Sequence, residues 1–427
     1  MQIATPKSKT GSLKRLLSVL GPGLITGASD DDPSGIATYS VAGARFGYAP
    51  LWTAVVTFPL MTGVQYICAK IGLASGSGIG RVLRKHYSKK LLYAVIAGLF
   101  LANTINTGAD ILAIAAGMNL LVPVPLNWAI GPIALLVVVV QIWGSYRVIS
   151  KIFKWLTLSL FAYVGASLLA RPDWHKVIEG TLVPTVEFNA DYIAMLVAIL
   201  GTTISPYLFF WQASSEVEEE RAQGRNSIKK RKGASSDDLT DAALDVGAGM
   251  FFSNLVMYFI ILATAASLHG TENADVNSAA DAAEALRPLA GDAATILMAL
   301  GLIGTGFLAI PVLTASAGYA ICEAFEWNCT LNAKPHRAKE FYIVIGAATL
   351  GGLLMDFAGV NPIDALFWTA VLNGLLAPPL LVVIMLIANN KKVMKEHVNG
   401  FGLNLLGWTT AALITAAAAG LLLTWSS

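Results

Sequence analysis

The sequence predicts an all-α protein that crosses a membrane many times. Of its 427 residues, 55% are hydrophobic and only 13% are charged, and the mean hydropathy is +0.63. These values exclude an ordinary soluble enzyme, so we expect a multi-pass protein of the cell membrane that has no nucleic-acid partner. The three cysteines, Cys68, Cys322 and Cys329, form neither a disulfide framework nor a pattern typical of metal ligands.

Eleven apolar runs are long enough to cross the hydrocarbon core of a bilayer. Two of them, the first and the sixth, are interrupted by proline beside small or polar residues. The predicted spans are 16–44, 50–71, 92–121, 128–145, 153–170, 191–219, 243–268, 294–322, 340–358, 362–388 and 402–425.

The distribution of Lys and Arg predicts the orientation of these spans. With the N-terminus inside, all but four of the 29 basic residues fall in inside segments. Cytoplasmic loops of membrane proteins carry such an excess of basic residues. We therefore expect a cytoplasmic N-terminus and an extracytoplasmic C-terminus. The four exceptions are Arg45, Arg171, Lys176 and Arg287.

The first span contains the sequence Asp30-Asp31-Asp32-Pro33-Ser34-Gly35 about 25 Å along the helix from its basic flank. Carboxylates at this depth persist only if they face protein, water or a cation. Pro33 removes a backbone donor and Gly35 tolerates unusual backbone angles, so we expect the helix to break here and free carbonyls beside the acids. The alternative is a short cytosolic loop between two helices.

The sixth span contains a second sequence of this kind, Gly201-Thr202-Thr203-Ile204-Ser205-Pro206-Tyr207. Alone, it is equally consistent with an ordinary proline kink. Its position favours a true break, because interruptions at corresponding places in two halves indicate a transporter built from inverted repeats. We predict one transmembrane domain, 1–427, with repeats at 16–170 and 191–388 and an extra helix at 402–425.

These residues resemble the NRAMP divalent-metal transporters. Gly21-Pro22-Gly23 together with Asp32-Pro33-Ser34-Gly35 is similar to the family's first-span signature, and Gly201 to Trp211 is similar to its sixth-span signature. Tyr146-Arg147 and 286–289 also fall at family-like places. The resemblance covers nearly the whole chain and implies the LeuT-like fold, a 5+5 inverted repeat with the ion between the broken first and sixth helices.

The departures from the family pattern are similar to the divergent NRAMP-related magnesium transporters. Gly35 replaces the family's Asn, and Ser205 and Tyr207 replace the Met and His of the sixth-span signature. On the third span, Asp110 stands where the family has Glu, and Thr107 replaces an Asp. Asp110, Thr107 and Tyr207 are the candidates for a proton or ion path.

Ligand chemistry independently favours a hard cation. None of the ten Met lies at either break, and all five His fall in loops or at span ends. Oxygen ligands suit Mg²⁺, Ca²⁺ and Mn²⁺, and Mg²⁺ usually keeps several waters. We expect Asp32 to be the anionic anchor, directly or through water. The other candidates for the metal site are Ser29, Asp31, Gly35, Thr202, Ser205 and Asn373.

The resulting hypothesis is a secondary transporter that imports Mg²⁺, and also Mn²⁺, as a partly hydrated substrate by alternating access. We expect no tight proton coupling, no cofactor and no enzymatic activity. A proton-coupled Mn²⁺/Fe²⁺ symporter is the main alternative. A Na⁺-coupled organic-solute transporter is disfavoured because the acidic triplet would repel a substrate carboxylate. A channel is a further alternative, whereas an intramembrane hydrolase lacks a base or His ligands.

Overall fold

The structure is a computed structural model that describes residues 20–143, 158–271, 274–331, 333, 335–356 and 359–425. The described residues form helices joined by turns and loops, with no strand among them. The predicted start of the first span, the junction of the fourth and fifth spans, and Tyr146-Arg147 lie outside the described residues. The helices are α1 Pro22–Asp30, α2 Pro33–Phe46, α3 Trp52–Ser75, α4 Ile79–His86, α5 Lys89–Leu121, α6 Leu126–Trp143, α7 Ala162–Leu169, α8 Trp174–Leu182, α9 Ala190–Thr203, α10 Pro206–Ala222, α11 Ile228–Arg231, α12 Ser236–Ser267, α13 Ala279–Glu284, α14 Arg287–Ala290, α15 Ala294–Phe325, α16 Lys339–Asp356, α17 Pro362–Ala388, α18 Lys391–Met394 and α19 Phe401–Trp425.

Seven helical segments of the described chain are long and apolar enough to cross a membrane. Two shorter apolar helices, Leu126–Ile142 and Ser159–Leu169, lie at the predicted fourth and fifth spans. The first span is divided into α1 and α2, so neither half reaches the length of a full crossing. The predicted breaks in the first and sixth spans are confirmed, while the total of eleven crossings stays a prediction.

The sixth span, formed by α9 and α10, is the most enclosed element. In the most apolar 18-residue segment of this span, 94% of the residues are buried within the protein. In the corresponding segment of the last span, α19, only 33% are buried. An apolar helix that is buried all round belongs to the interior of a bundle, and one exposed on most sides faces lipid. The sixth span is therefore central and α19 peripheral.

Glycines let the two broken spans approach their neighbours closely. A Cβ on Gly27 of α1 would overlap the carbonyl of Gly249 on α12, and one on Gly249 would overlap the carbonyl of Gly23. A Cβ on Gly201 of α9 would likewise overlap the carbonyl of Ala370 on α17. Small residues at such contacts allow two helix backbones to pack closely. Close packing matters in a membrane because the hydrophobic effect does not drive helices together there.

The N-terminus of α1 is fixed by a carboxylate from another span. Asp245 of α12 accepts hydrogen bonds from the N–H groups of Gly21 at 2.8 Å, Gly23 at 2.6 Å and Leu24 at 3.1 Å. These donors belong to the first turn of α1, which has no intrahelical acceptors for them. The carboxylate also complements the positive end of the helix dipole.

A second link joins α1 to α10. The hydroxyl of Thr26 donates to Oε1 of Gln212, and Nε2 of Gln212 donates to Glu216 at 2.8 Å. All three residues are buried. The half-helix that leads into the acidic triplet is therefore held on two sides, by α12 and by α10.

Replacing Asp245 by Ala should destabilise the protein by about 2 kcal/mol, because the buried N–H of Gly23 and the partly buried N–H groups of Gly21 and Leu24 lose a charged acceptor. The expected result is a lower midpoint of heat unfolding for the purified protein in detergent. Asp237→Ala is the matched control, since Asp237 lies exposed in the first turn of the same helix. Equal midpoints for the two variants would contradict the role given to Asp245.

Candidate functional site

The first break follows from the missing N–H of Pro33. In an α-helix a carbonyl accepts from the N–H four residues later, so Pro33 leaves the carbonyl of Ser29 without its helical partner. Helix α1 ends at Asp30 and α2 begins at Pro33, with Asp32 in an extended conformation between them (φ −69°, ψ 170°). The carbonyl of Ser29 therefore lies at the break without a helical donor.

The second break has the same cause. Pro206 leaves the carbonyl of Thr202 without its helical partner, α9 ends at Thr203, and α10 begins at Pro206. The hydroxyl of Ser205 donates back to the carbonyls of Thr202 at 2.8 Å and Gly201 at 3.0 Å. A side chain thus replaces the donor that the proline lacks.

The two breaks meet in the interior. The phenol of Tyr207 donates to the carbonyl of Ser29 at 2.7 Å. The hydroxyls of Ser34 and Thr202 lie 3.5 Å apart. Gly35 faces the same contact, because a Cβ there would lie 3.3 Å from Oγ1 of Thr202. The structure therefore brings together Ser29, Asp32, Gly35, Thr202 and Ser205, five of the predicted site residues.

The two oxygens of the Asp32 carboxylate differ in how closely they are bound. Its Oδ1 accepts from the hydroxyl of Ser34 at 2.7 Å and from the N–H of Gly35 at 2.9 Å, so it caps α2. Its Oδ2 has a longer contact with the phenol of Tyr207, at 3.3 Å, and the N–H of Ser34 also interacts with the carboxylate. Asp32 is therefore the cap of α2, and its Oδ2 is the oxygen that a cation or its water could approach.

Asp30 and Asp31 turn toward α12. The hydroxyl of Ser253 lies 2.7 Å from Oδ2 of Asp30 and 3.3 Å from Oδ1 of Asp31. Across the described residues, no group of three or more His, Cys, Asp or Glu side chains converges as a metal cluster. A cation between the breaks would therefore meet the carboxylate of Asp32 together with neutral oxygens. Asp31 as a ligand stays a prediction.

Asn373 lies beside the second break. Its neighbour Gly374 packs against the backbone of α9, where a Cβ would overlap the carbonyl of Val197. The side chain of Asn373 is 1% exposed, and its Nδ2 has no hydrogen-bond acceptor. Asn373 is therefore buried beside the second break, and its role in the metal site stays a prediction.

The two candidate path residues on α5, Thr107 and Asp110, differ in their hydrogen bonding. The hydroxyl of Thr107 donates to the carbonyl of Asn103 on its own helix, at 2.7 Å. Asp110 is fully buried, and neither of its carboxylate oxygens has a hydrogen-bond donor. Asp110 interacts electrostatically with Asp32 and with Tyr207, so it belongs to the surroundings of the breaks.

Three contacts of the site were not predicted. Ser34 could have been recognised, because a hydroxyl two residues after a capping Asp commonly bonds locally. Ser253 gives no signal in the sequence, since its role depends on α12 packing beside α1. Tyr207 was considered for proton transfer, and its contact with Ser29 depends on two breaks that lie 178 residues apart in the chain.

A model of the Nramp family, described as natural resistance-associated macrophage protein-like, matches residues 23–424. The chain belongs to the Nramp family. It is therefore a multi-pass membrane transporter and not an enzyme, as the sequence predicted.

Two bacterial relatives of this Nramp chain are both named divalent metal cation transporter MntH. The protein of Brucella suis is 28% identical over 418 residues, which cover 95% of this chain and 88% of the relative. That of Caldanaerobacter subterraneus is 26% identical over 388 residues, which cover 90% of this chain and 87% of the relative.

Solved structures establish the fold of this Nramp protein. The manganese transporter of Eremococcus coleocola superposes with a TM-score of 0.75 at 18% identity, covering 98% of this chain and 88% of the other. Mhp1, a nucleobase-cation-symport-1 family transporter, superposes with a TM-score of 0.55 at 16% identity, covering 95% and 91%. The predicted LeuT-like fold is confirmed.

Proposed function

We propose that this Nramp protein imports divalent metal cations across the cell membrane, with Asp32 as the anionic anchor. The observation that carries the proposal is the carboxylate of Asp32, whose Oδ2 makes a long contact of 3.3 Å with Tyr207, at the meeting point of two helix breaks. The names of the relatives support a divalent metal as the substrate. The metal is the transported cargo and not a cofactor.

Within that class, we favour Mg²⁺, with Mn²⁺ as a second substrate. The groups at the breaks are a carboxylate, hydroxyls, and two carbonyls that already accept from hydroxyls. Oxygen groups of this kind are ligands for hard cations. The small residues Gly35, Thr202 and Ser205 leave space for water on the ion, which Mg²⁺ gives up reluctantly. The alternative is a proton-coupled Mn²⁺ symporter, which the solved manganese transporter supports.

The transport cycle that fits this site is alternating access. Ser29, Asp32, Thr202, Ser205 and Tyr207 are each at most 1% exposed, so no open path reaches the site in this conformation. Inverted repeats at 16–170 and 191–388, with a cytoplasmic N-terminus and an extracytoplasmic C-terminus, would let the two halves open in turn. An ion pore would need a continuous passage instead.

Asp32→Ala should abolish divalent uptake, because the anionic group at the junction disappears. The measurement is uptake of Mg²⁺ and Mn²⁺ into liposomes containing the purified variant, compared with wild type. A normal heat-unfolding midpoint shows that the variant is folded. Asp237→Ala, an exposed change far along α12 from the breaks, serves as the control and should transport normally. Wild-type uptake by folded Asp32→Ala would overturn the site assignment.

The double variant Gly35→Asn, Ser205→Met should shift preference from Mg²⁺ toward Mn²⁺ and Cd²⁺. The new side chains reduce the space for water and add a soft thioether ligand. At Gly35 the fit is close, since a Cβ lies 3.3 Å from both Thr202 and Tyr39, so those side chains must move slightly. Calorimetry with each ion measures the shift. Unchanged Mg²⁺ binding with no gain in Cd²⁺ binding would remove both residues from the ion site.

Mg²⁺ entry need not be tightly coupled to protons. The family's His and third-span Asp are replaced here by Tyr207 and Thr107, and the Thr107 hydroxyl is bonded within its own helix. A membrane potential of 100 mV, negative inside, contributes about 4.6 kcal/mol to entry of a divalent cation. That driving force can support accumulation without a proton.

An imposed Mg²⁺ gradient across liposomes should therefore drive uptake with little change in an internal pH dye. The control is the same liposome without protein. Asp110→Asn tests the remaining carboxylate of the path, which has no hydrogen-bond donor. Acidification that follows Mg²⁺ addition, requires the protein and disappears in Asp110→Asn would show that Asp110 couples proton and metal movement.

A further inference from the structure

Both carbonyls freed by the prolines are already occupied by hydroxyl donors. Tyr207 donates to the carbonyl of Ser29 at 2.7 Å, and Ser205 donates to the carbonyl of Thr202 at 2.8 Å. The two breaks therefore share one arrangement, in which a hydroxyl takes the place of the missing proline N–H. The carbonyls, which would otherwise be the strongest neutral ligands at the site, are not free.

The occupied carbonyls determine what the site presents to an ion. A hydroxyl has one proton and two acceptor lone pairs. When the proton is committed to a carbonyl, the oxygen presents only acceptor lone pairs to its surroundings. Water bound to a cation donates its protons outward, so it finds acceptors in these hydroxyls and in Oδ2 of Asp32, which lies 3.3 Å from the phenol oxygen.

We propose that Tyr207 is a specificity-determining residue that selects a hydrated divalent cation over a dehydrated one. Its phenol blocks direct coordination by the Ser29 carbonyl and offers an acceptor to water on the ion. This inference rests on the proposed function, since it concerns how the same site chooses among divalent ions. It favours Mg²⁺, which retains its water, over ions that exchange water for protein ligands more readily.

The ring of Tyr207 is held in place independently of its hydroxyl. The side chain is fully buried, and its backbone carbonyl accepts from the hydroxyl of Ser316 on α15 at 2.7 Å. Removing the phenol oxygen therefore leaves the ring position anchored by packing and by this backbone bond. Tyr207→Phe consequently isolates the chemical effect of the hydroxyl.

In Tyr207→Phe, the carbonyl of Ser29 becomes available as a direct ligand. The ratio of Mn²⁺ affinity to Mg²⁺ affinity should rise roughly tenfold over wild type, on the scale of one added polar contact. The measurement is calorimetric binding of each ion separately to the full-length protein in detergent. A role limited to packing would lower the affinities for both ions together and leave this ratio unchanged.

Tyr163→Phe is the matched control. Tyr163 is equally buried, and its hydroxyl contacts the sulfur of Met298 at 3.4 Å, not either break. This variant loses the same atom from a buried ring and should keep the wild-type ratio. The heat-unfolding midpoint of each variant shows that differences in binding arise from folded protein.

Ser205→Ala provides a second, independent test. It frees the carbonyl of Thr202 as Tyr207→Phe frees that of Ser29, and it should raise the Mn²⁺ to Mg²⁺ ratio in the same direction. Should Tyr207→Phe not fold, Ser205→Ala decides the question. A wild-type ratio in the folded variants overturns the inference, whereas failure of wild type itself to bind either ion overturns the proposed function.

Discussion

The absence of one backbone N–H at Pro33 and another at Pro206 is the constraint on which the rest of the structure depends. Each proline leaves a carbonyl, on Ser29 and on Thr202, without its helical donor inside an apolar bundle. A buried polar group without a partner is costly, so each must find a donor or a cation. Tyr207 and Ser205 supply the donors. Because the Tyr207 bond crosses from the sixth span to the first, the same constraint that breaks the helices also joins them.

The negative charge of the aspartates at this junction is not balanced by an ion pair of the described residues. Asp30, Asp31, Asp32 and Asp110 are buried, and no ion pair of the described residues includes any of them. Hydroxyl and backbone donors at Asp30, Asp31 and Asp32 reduce the cost of burial without neutralising the charge. A cation that enters this region loses hydration, and its attraction to the carboxylates compensates for that loss. An anion loses hydration without such an attraction. The junction therefore favours a cation over an anion by its charge.

Features that depend on local chemistry could be predicted, and features that depend on packing between distant helices could not. Both breaks follow from proline and glycine at fixed positions, and the spans follow from apolar length. The cap on α1 could not be predicted in this way, because Asp245 reaches Gly21 only when α12 packs along the first span. The same holds for Ser253 beside Asp30. Tyr207 was recognised as a departure from the family pattern, but its acceptor on Ser29 depends on how the two half-helices meet.

Opening of the site depends on which contacts of α1 can be exchanged for water. The N–H groups bound by Asp245 lie near a helix end, and Gly21 and Leu24 are only partly buried. Water can reach the donors of Gly21 and Leu24 and so offsets part of the cost of separating them from Asp245, although Gly23 and Asp245 themselves are buried. The bond from Tyr207 to Ser29 is fully enclosed and has no such replacement unless an ion with its water enters. The contacts at the N-terminal end of α1 are therefore easier to exchange for water than the bond at the junction, which can be given up only when another polar partner takes its place.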